Sequence, residues 1–381
     1  MNMLKDTPLQ ILNGLKPSQF LSQYWQKKPL LIKNAISDFN GLLSPNELAG
    51  LACEEDVQSR IVQNKANKWQ LKNGPFAEGD FAKLPLKDWT LLVQSVNHHL
   101  QEAAELLSRF NFIPHARLDD LMVSYAPDGG GVGAHIDSYD VFLLQGSGRR
   151  NWKISSQTDF ALLEDAPLKI LKNFCTEQEW TLEAGDMLYL PPQIAHWGVA
   201  VGDNCMTYSI GFRAPKKLDL AHEFLAYMQD KLSLDGQFND PDLSLQKHPA
   251  EISENTVAQV KTMLQEIKWN AKDVADFLGC YLTEPKLNVF FDPPTKTTLP
   301  RFIKLLATKT LALDLKSQLL FSEDYFYLNG EKLELPPNLI TPMQSFANNK
   351  SLNTSDLQPS IHEALGAALF ESYLAGYILF N

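Results

Sequence analysis

Two histidines and one aspartate carry the spacing that best suits chemistry. The chain reads His135-Ile-Asp137, and His196 follows after the turn at Pro191-Pro192. On a strand, residues i and i+2 project to the same face, so His135 and Asp137 are expected to enter one space. Two imidazoles and one carboxylate, with open positions, are the ligand set of non-haem iron(II) oxygenases. These three residues are the predicted catalytic and metal-binding triad.

The H-x-D pattern alone is weak, because it arises often by chance. Its surroundings strengthen it. The glycine-rich stretch Gly129-Gly-Gly-Val-Gly133 precedes it and lets backbone approach closely. In a barrel, the chain can also return to the end that holds His135 and Asp137 by the time it reaches His196. Without these additions, structural histidines would be the better interpretation.

An arginine pair, Arg149 and Arg150, follows on the next predicted strand. A guanidinium binds a carboxylate bidentately, so one of them inside a barrel would anchor the far end of a dicarboxylate. Successive strand residues alternate faces, and only one of the two can point inward. Two solvated turn arginines are the alternative.

Further polar residues lie near these positions. Thr207 and Ser209 share one strand face, where their hydroxyls would bond a carboxylate or serve as ordinary strand residues. Tyr139 and Asp140 follow the triad at the predicted rim, where substrate contact and packing explain them equally well.

The elements that must position these residues are short and β-rich. Between residues 118 and 213, runs typical of strands alternate with Gly- and Pro-bearing turns, which predicts a sandwich or small barrel. The predicted strands are Leu121–Tyr125, Val141–Leu144, Asn151–Ile154, Met187–Leu190 and Met206–Phe212.

The flanking segments are predicted to be largely helical. Residues 87–110 have apolar side chains at helical spacing, and residues 217–280 have two amphipathic stripes that suit a linker or an oligomer interface. In the last segment, helices over Ile303–Leu315 and His362–Leu379 accompany a hairpin at Asn329-Gly330, between Phe321–Leu328 and Lys332–Leu335. This combination is compatible with a winged helix. From Phe277 onward there are eight basic and ten acidic residues, which disfavours DNA binding.

Composition excludes several classes of protein. The chain has 381 residues, a net charge of −11 and 44% hydrophobic residues, so it can bury sizeable cores in two or three domains. Four scattered cysteines do not suit a disulfide framework or a thiolate zinc site. The sequence has no apolar run long enough for a membrane span and begins MNMLKDTPLQ, unlike a signal peptide, so we expect a cytoplasmic protein without membrane contact.

Four segments together resemble a known family. Residues 129–152, 182–196, 208–215 and 282–286 are similar to the bacterial ribosomal-protein arginine hydroxylases of the Jumonji-C (JmjC) oxygenases. The resemblance spans most of the chain. It implies an α+β protein with a JmjC double-stranded β-helix, cupin-like, over residues 1–216. A helical dimerisation or linker region over 217–280 and a winged-helix-like domain over 281–381 would follow.

The same resemblance implies an activity and assigns residues to it. Fe(II), 2-oxoglutarate and O2 would be used to hydroxylate an arginine of a basic large-subunit ribosomal protein (L-sixteen in the bacterial case), and the enzyme would be a homodimer. His135, Asp137 and His196 match the metal triad, and Arg150 matches the anchor of the distal carboxylate. Ser124, Thr207 and Ser209 are the remaining expected cosubstrate contacts, because alanine stands at position 126, where we expect a second hydroxyl.

Alternative functions remain open at this stage. A JmjC-type protein demethylase would release formaldehyde instead of leaving a stable hydroxyl. A non-oxygenase metal-binding cupin would not need Arg150 for turnover. A vestigial interaction module is disfavoured, because the triad is intact.

Overall fold

The computed structural model describes residues 5–65, 68–241 and 243–381. The helices of these residues are α1 (Pro17–Gln23), α2 (Pro45–Leu51), α3 (Glu78–Phe81), α4 (Gln101–Ser108), α5 (Lys217–Gln229), α6 (Glu254–Leu264), α7 (Ala271–Thr283), α8 (Leu299–Leu306), α9 (Ile340–Asn349) and α10 (Pro359–Leu374). Short 3-10 helices cover Gln10–Leu12, Val96–His98, His115–Arg117 and Pro337–Leu339.

The strands of the described residues fall into three sheets. They are β1 (Leu30–Ile32), β2 (Ser59–Lys65), β3 (Lys68–Asn73), β4 (Trp89–Val93), β5 (Leu118–Ala126), β6 (Val141–Ser155), β7 (Gln178–Leu182), β8 (Met187–Leu190), β9 (Ala195–Phe212), β10 (Thr310–Leu313), β11 (Leu319–Ser322), β12 (Tyr325–Leu328), β13 (Glu331–Leu333), β14 (Ser351–Asn353) and β15 (Ile378–Phe380).

The largest sheet is antiparallel, with the order β1-β8-β6-β9-β5-β4-β2-β3, and β7 also pairs with β6. Strands β6 and β9 are long enough to take part in both halves of a folded-over sheet. The first half of β6 pairs with the last half of β9, and register shifts between Gln145 and Arg149 mark the bend. Bulges of this kind curve a sheet, so the two halves face each other around a cavity.

The outer face of this sheet packs against the N-terminal helices. Phe20 of α1 contacts the rings of Phe142 on β6 and Tyr189 on β8 at centroid separations of 5.5 and 5.0 Å. These fully buried aromatic side chains belong to one large apolar cluster. The strands are therefore fixed from outside by apolar packing, which leaves their inner face free to carry polar residues.

Three helical predictions were wrong in part. Residues 89–93 form strand β4 instead of the start of a helix, because they pair with β2 and β5 in the centre of the sheet. Only Gln101–Ser108 of that segment is α-helical. Likewise α8 ends at Leu306, and Thr310–Leu313, predicted to be helical, pairs with β14 and β15. The predicted helix His362–Leu379 also ends early, at Leu374, and Ile378–Phe380 forms β15, which pairs with β10. Long-range strand pairing outweighs local helical spacing in all three cases.

The C-terminal unit has its own apolar core. Its predicted hairpin is present between β12 and β13, with Leu328 opposite Glu331. The strand predicted over Phe321–Leu328 is instead two strands, β11 and β12, which pair with each other. Asn329 and Gly330 both have positive φ, at 48° and 92°, as a two-residue turn of this kind requires. Helix α7 crosses the expected boundary between residues 280 and 281, and the division at 216 and 280 stays a prediction.

Helices α5 and α6 expose a large apolar surface. Their exposed apolar side chains include Leu218, Leu225, Val257, Met263 and Leu264.

Within the described residues, no helix is long and apolar enough to cross a membrane.

Candidate active site

The backbone brings the two predicted histidines together. His135 and His196 exchange a pair of main-chain hydrogen bonds, of 3.0 and 2.9 Å, as an isolated antiparallel bridge. Glycines permit this approach. A Cβ on Gly131 would lie 2.5 Å from the carbonyl oxygen of Gly198 on β9. The glycine-rich segment before the H-x-D pattern is therefore a requirement of packing against β9.

The three predicted ligands converge on one point. Asp137 Oδ2 lies 4.0 Å from His135 Nε2 and 3.5 Å from His196 Nε2. One ligand atom from each residue lies within 4.8 Å of the others. These separations suit three donors on one face of a metal ion, with the remaining positions open.

Hydrogen bonds on the far side of each imidazole set its orientation. His135 Nδ1 lies 3.0 Å from the carbonyl oxygen of Gly133, and His196 Nδ1 lies 2.9 Å from that of Ile194. A carbonyl accepts only, so each Nδ1 carries the proton and each Nε2 presents a lone pair to the shared point. Burial, followed by the neighbouring His135, lowers the pKa of His196 to about 4. The ring is therefore neutral near pH 7, as a metal ligand must be.

A cavity of about 400 Å³ opens beside the triad. Arg150 of β6 lines it and is only 4% exposed, whereas Arg149 is exposed on the other face. The Nε and Nη2 atoms of Arg150 are buried without a hydrogen-bond partner among the described residues. A buried, unpaired guanidinium is costly, so this side of the cavity is arranged for an anion.

The three predicted hydroxyl contacts all line the cavity, but they differ in what they can still bond. Thr207 Oγ1 donates its hydroxyl proton to Gln145 Oε1 at 3.0 Å, so it has no proton left to donate to a ligand. Ser124 Oγ makes only a long contact, 3.5 Å, to the carbonyl oxygen of Thr207. Ser209 is buried on the same face of β9. Ser124 and Ser209 are therefore better placed than Thr207 to donate to a ligand.

Tyr139 and Asp140, the two predicted substrate contacts, lie in different environments. Tyr139 lines the cavity and is 39% exposed. Burial, together with the nearby Asp137 and Asp120 carboxylates, raises the pKa of its phenol.

Asp140, a predicted substrate contact, does not line the cavity. It is fully buried, and it accepts hydrogen bonds from Tyr189 Oη at 2.6 Å and Gln26 Nε2 at 2.9 Å. Strand alternation turns it away from the cavity toward the aromatic cluster, so its role is structural.

Comparisons with known proteins agree with this geometry. Residues 105–220 match the JmjC domain, and residues 266–378 match a ROXA-like winged helix. The chain is 33% identical over 375 residues to the ribosomal protein uL16 3-hydroxylase of Escherichia coli K12, covering 95% of this chain and 97% of that protein. The chain belongs to the JmjC ribosomal oxygenase family.

Other ribosomal oxygenases support the assignment. A probable ribosomal oxygenase of Haemophilus influenzae is 39% identical over 250 residues, which cover 64% of this chain and 59% of that protein. The structure of E. coli YcfD, a ribosomal oxygenase, in complex with cobalt and 2-oxoglutarate is 33% identical and superposes with a TM-score of 0.80, covering 96% of this chain and 98% of that one. The predicted family and fold class are thereby confirmed.

Sequence reasoning missed several residues that line the cavity of this ribosomal oxygenase. Trp152 shares the inner face of β6 with Arg150, and its Nε1 is buried with no hydrogen-bond partner in the part of the chain that the structure describes. The i, i+2 spacing from Arg150 was the signal that could have found it. Asp119 and Asp120 both line the cavity although they are adjacent, since a register shift between Leu118 and Leu121 interrupts β5 there. No sequence pattern predicted that bulge.

Proposed function

We propose that this ribosomal oxygenase is an Fe(II)- and 2-oxoglutarate-dependent protein hydroxylase. Its substrate would be an arginine side chain of a large-subunit ribosomal protein, and its products hydroxyarginine, succinate and CO2. One observation carries the proposal: a two-histidine, one-carboxylate cluster and a buried unpaired arginine line the same cavity. A metal-binding cupin of another class has no evident use for that arginine.

His135, Asp137 and His196 would hold the metal. Their donor set suits iron(II), because imidazole nitrogen and carboxylate oxygen bind it while leaving open positions for cosubstrate and O2. Bound iron supplies the redox chemistry that couples decarboxylation of 2-oxoglutarate to insertion of oxygen into a C–H bond. The Nδ1 hydrogen bonds to Gly133 and Ile194 hold both rings in the ligating tautomer.

Arg150 would pair with the distal carboxylate of 2-oxoglutarate. Its unpaired Nε and Nη2 match the two oxygens of a carboxylate, which makes bidentate pairing the natural arrangement. Ser124 and Ser209 are the hydroxyls best placed to assist, and the indole N–H of Trp152 supplies another donor. Together these groups would replace the water that the carboxylate loses on binding.

An acidic part of the cavity wall suits a cationic side chain. Asp119, Asp120 and Tyr139 are among its lining residues. Asp119 is already paired with Lys286 at 3.0 Å, so Asp120 is the carboxylate better placed for a ligand. Asp120 Oδ2 accepts from Ser95 N and Oγ at 3.0 and 2.9 Å, which leaves Oδ1 for a ligand. The net charge of −11 would also steer a basic ribosomal protein toward the enzyme. The relative from E. coli acts on uL16 by its name, and we infer the same substrate class here.

The test loads purified protein with Fe(II) anaerobically and then adds O2, 2-oxoglutarate and uL16. We expect succinate release and a gain of one oxygen on an arginine-containing peptide, both absent in His135→Ala. Equal amounts of succinate released by the wild type and by His135→Ala would contradict the oxygenase assignment. Release of formaldehyde in place of a stable hydroxyl would identify a demethylase.

We further propose that the enzyme is a cytoplasmic homodimer whose interface includes α5 and α6. The exposed leucines Leu225 and Leu264 support this, because large apolar surfaces on helices are usually covered by a partner. Light scattering of the wild type and of the double variant Leu225→Asp, Leu264→Asp tests it. A monomeric wild type at micromolar concentration would contradict the dimer.

A further inference from the structure

A second group of cavity-lining residues, apart from Arg150, has buried polar atoms without a hydrogen-bond partner among the described residues. It consists of Arg60 on β2 and of Thr90 and Gln94, which lie at the start and just past the end of β4. Strands β9, β5 and β4 separate β2 from β6, so this wall is distant in the sheet from the arginine assigned to the cosubstrate. We name Arg60, Thr90 and Gln94 the distal wall.

The three side chains point into the same space. Thr90, Leu92 and Gln94 alternate along one strand direction and all line the cavity. Arg60 lies opposite Leu92 in the register of β2 with β4, and is therefore diagonal to both Thr90 and Gln94. Diagonal neighbours in a sheet are within reach of a long side chain, so Arg60 can approach both Thr90 and Gln94. Thr90 and Gln94 are four residues apart, about 13 Å along an extended strand, so a ligand that contacts the whole wall must span a comparable length.

Each member has a buried polar atom without a partner among the described residues. These atoms are Arg60 Nε, Thr90 Oγ1 and Gln94 Oε1. Thr90 is only 1% exposed. The amide of Gln94 is fixed, because its Nε2 donates to Asp120 Oδ2 at 3.2 Å. Unpaired buried polar atoms are costly and rare, so three on one wall indicate a ligand that satisfies them.

The hydrogen-bonding properties of the three atoms limit the chemical class of the ligand. Arg60 only donates, Gln94 Oε1 only accepts, and the Thr90 hydroxyl does either. An extended polypeptide main chain offers both carbonyl oxygens and N–H groups along such a length. A carboxylate would satisfy Arg60, yet it would lie beside Gln94 Oε1 and the Asp120 carboxylate, where acceptors repel it.

We propose that the distal wall binds main chain of the substrate polypeptide next to the residue that is hydroxylated. The Arg60 guanidinium and the Thr90 hydroxyl donate to a carbonyl oxygen, and Gln94 Oε1 accepts from an N–H. This inference rests on the proposed function, and it makes the three side chains positioning residues for a polypeptide substrate. They fix its register and leave the oxygen chemistry to the triad.

Steady-state kinetics of Arg60→Gln and Thr90→Val with purified uL16 test the assignment. We expect the KM for uL16 to rise about tenfold in Arg60→Gln and about threefold in Thr90→Val, because a charged hydrogen bond is stronger than a neutral one. The KM for 2-oxoglutarate, and succinate release without uL16, stay at wild-type values. Arg149→Gln is the matched control, since it removes an exposed arginine outside the cavity.

Binding of a fluorescent uL16 peptide to the metal-free protein gives a second readout that is independent of turnover. Its Kd should rise in the two variants even if the proposed oxygenase activity fails. Wild-type Kd values in both variants would overturn the distal wall. So would a raised KM for 2-oxoglutarate in Arg60→Gln, or loss of the Arg60→Gln effect when an acidic residue of the peptide is replaced by its amide.

Discussion

Replacement of Arg150 by methionine tests the cosubstrate site most directly. The variant keeps similar side-chain volume and removes the guanidinium. Because Nε and Nη2 have no partner within the described residues, the lost interaction is a bidentate charged pair with the ligand, worth about 3 kcal/mol, or roughly 150-fold in affinity for 2-oxoglutarate. The ligand-free variant should also unfold at higher temperature, since it no longer buries an unpaired charge.

Thermal unfolding with Mn(II), which binds without turnover, measures both effects. At a 2-oxoglutarate concentration about 100 times the wild-type Kd, the ligand stabilises the wild type by about 2.7 kcal/mol and Arg150→Met by about 0.3 kcal/mol. The control Arg149→Met should respond like the wild type, because Arg149 is exposed. Equal ligand-induced shifts in Arg150→Met and the wild type would refute the reasoning, as would a ligand-free variant less stable than the wild type.

Three further outcomes follow. His196→Ala should lose Mn(II) binding, measured by paramagnetic resonance, by at least tenfold while keeping its circular dichroism spectrum; retained binding would remove it from the metal site. Burial raises the pKa of Asp276, but hydrogen bonds from Lys272, Lys332 and Tyr327 outweigh it and hold the pKa well below its usual range. Its stabilisation is complete above about pH 5 and is lost progressively as the pH falls from about 4 through the depressed folded pKa. Asp276→Asn should therefore cost about 2–4 kcal/mol in urea unfolding at pH 7 and clearly less at pH 2; an equal cost at both would contradict this. Burial lowers the pKa of His98 and His115 to about 4. Both bind protons more readily when unfolded, so stability should fall by about 1–2 kcal/mol for each between pH 6.5 and pH 5, and the doubly substituted His98→Gln, His115→Gln protein should show a flatter profile if this is correct.

Local patterns were sufficient for some features. Strand alternation turned Arg150 inward, and the Asn329-Gly330 pair determined its hairpin. His135 and Asp137 also converge as predicted, although only His135 forms a β-bridge and the H-x-D segment is not a strand. Local patterns failed where pairing with distant strands decided the outcome. Residues 89–93 carry apolar spacing that suits either a helix or a buried strand, and β2 and β5 select the strand.

The sequence by itself determined the type of chemistry, because ligand identity and i, i+2 spacing are properties of the chain. It also determined family membership through its motifs. Only the tertiary structure decided which residues complete the cavity. The bulge in β5 lets both Asp119 and Asp120 line the cavity, and Asp140 is fully buried outside it. Sheet register places Arg60 opposite Leu92 and diagonal to Thr90. The physical reason is that bulges and long-range register depend on packing against distant strands of the barrel, which a short stretch of sequence does not specify.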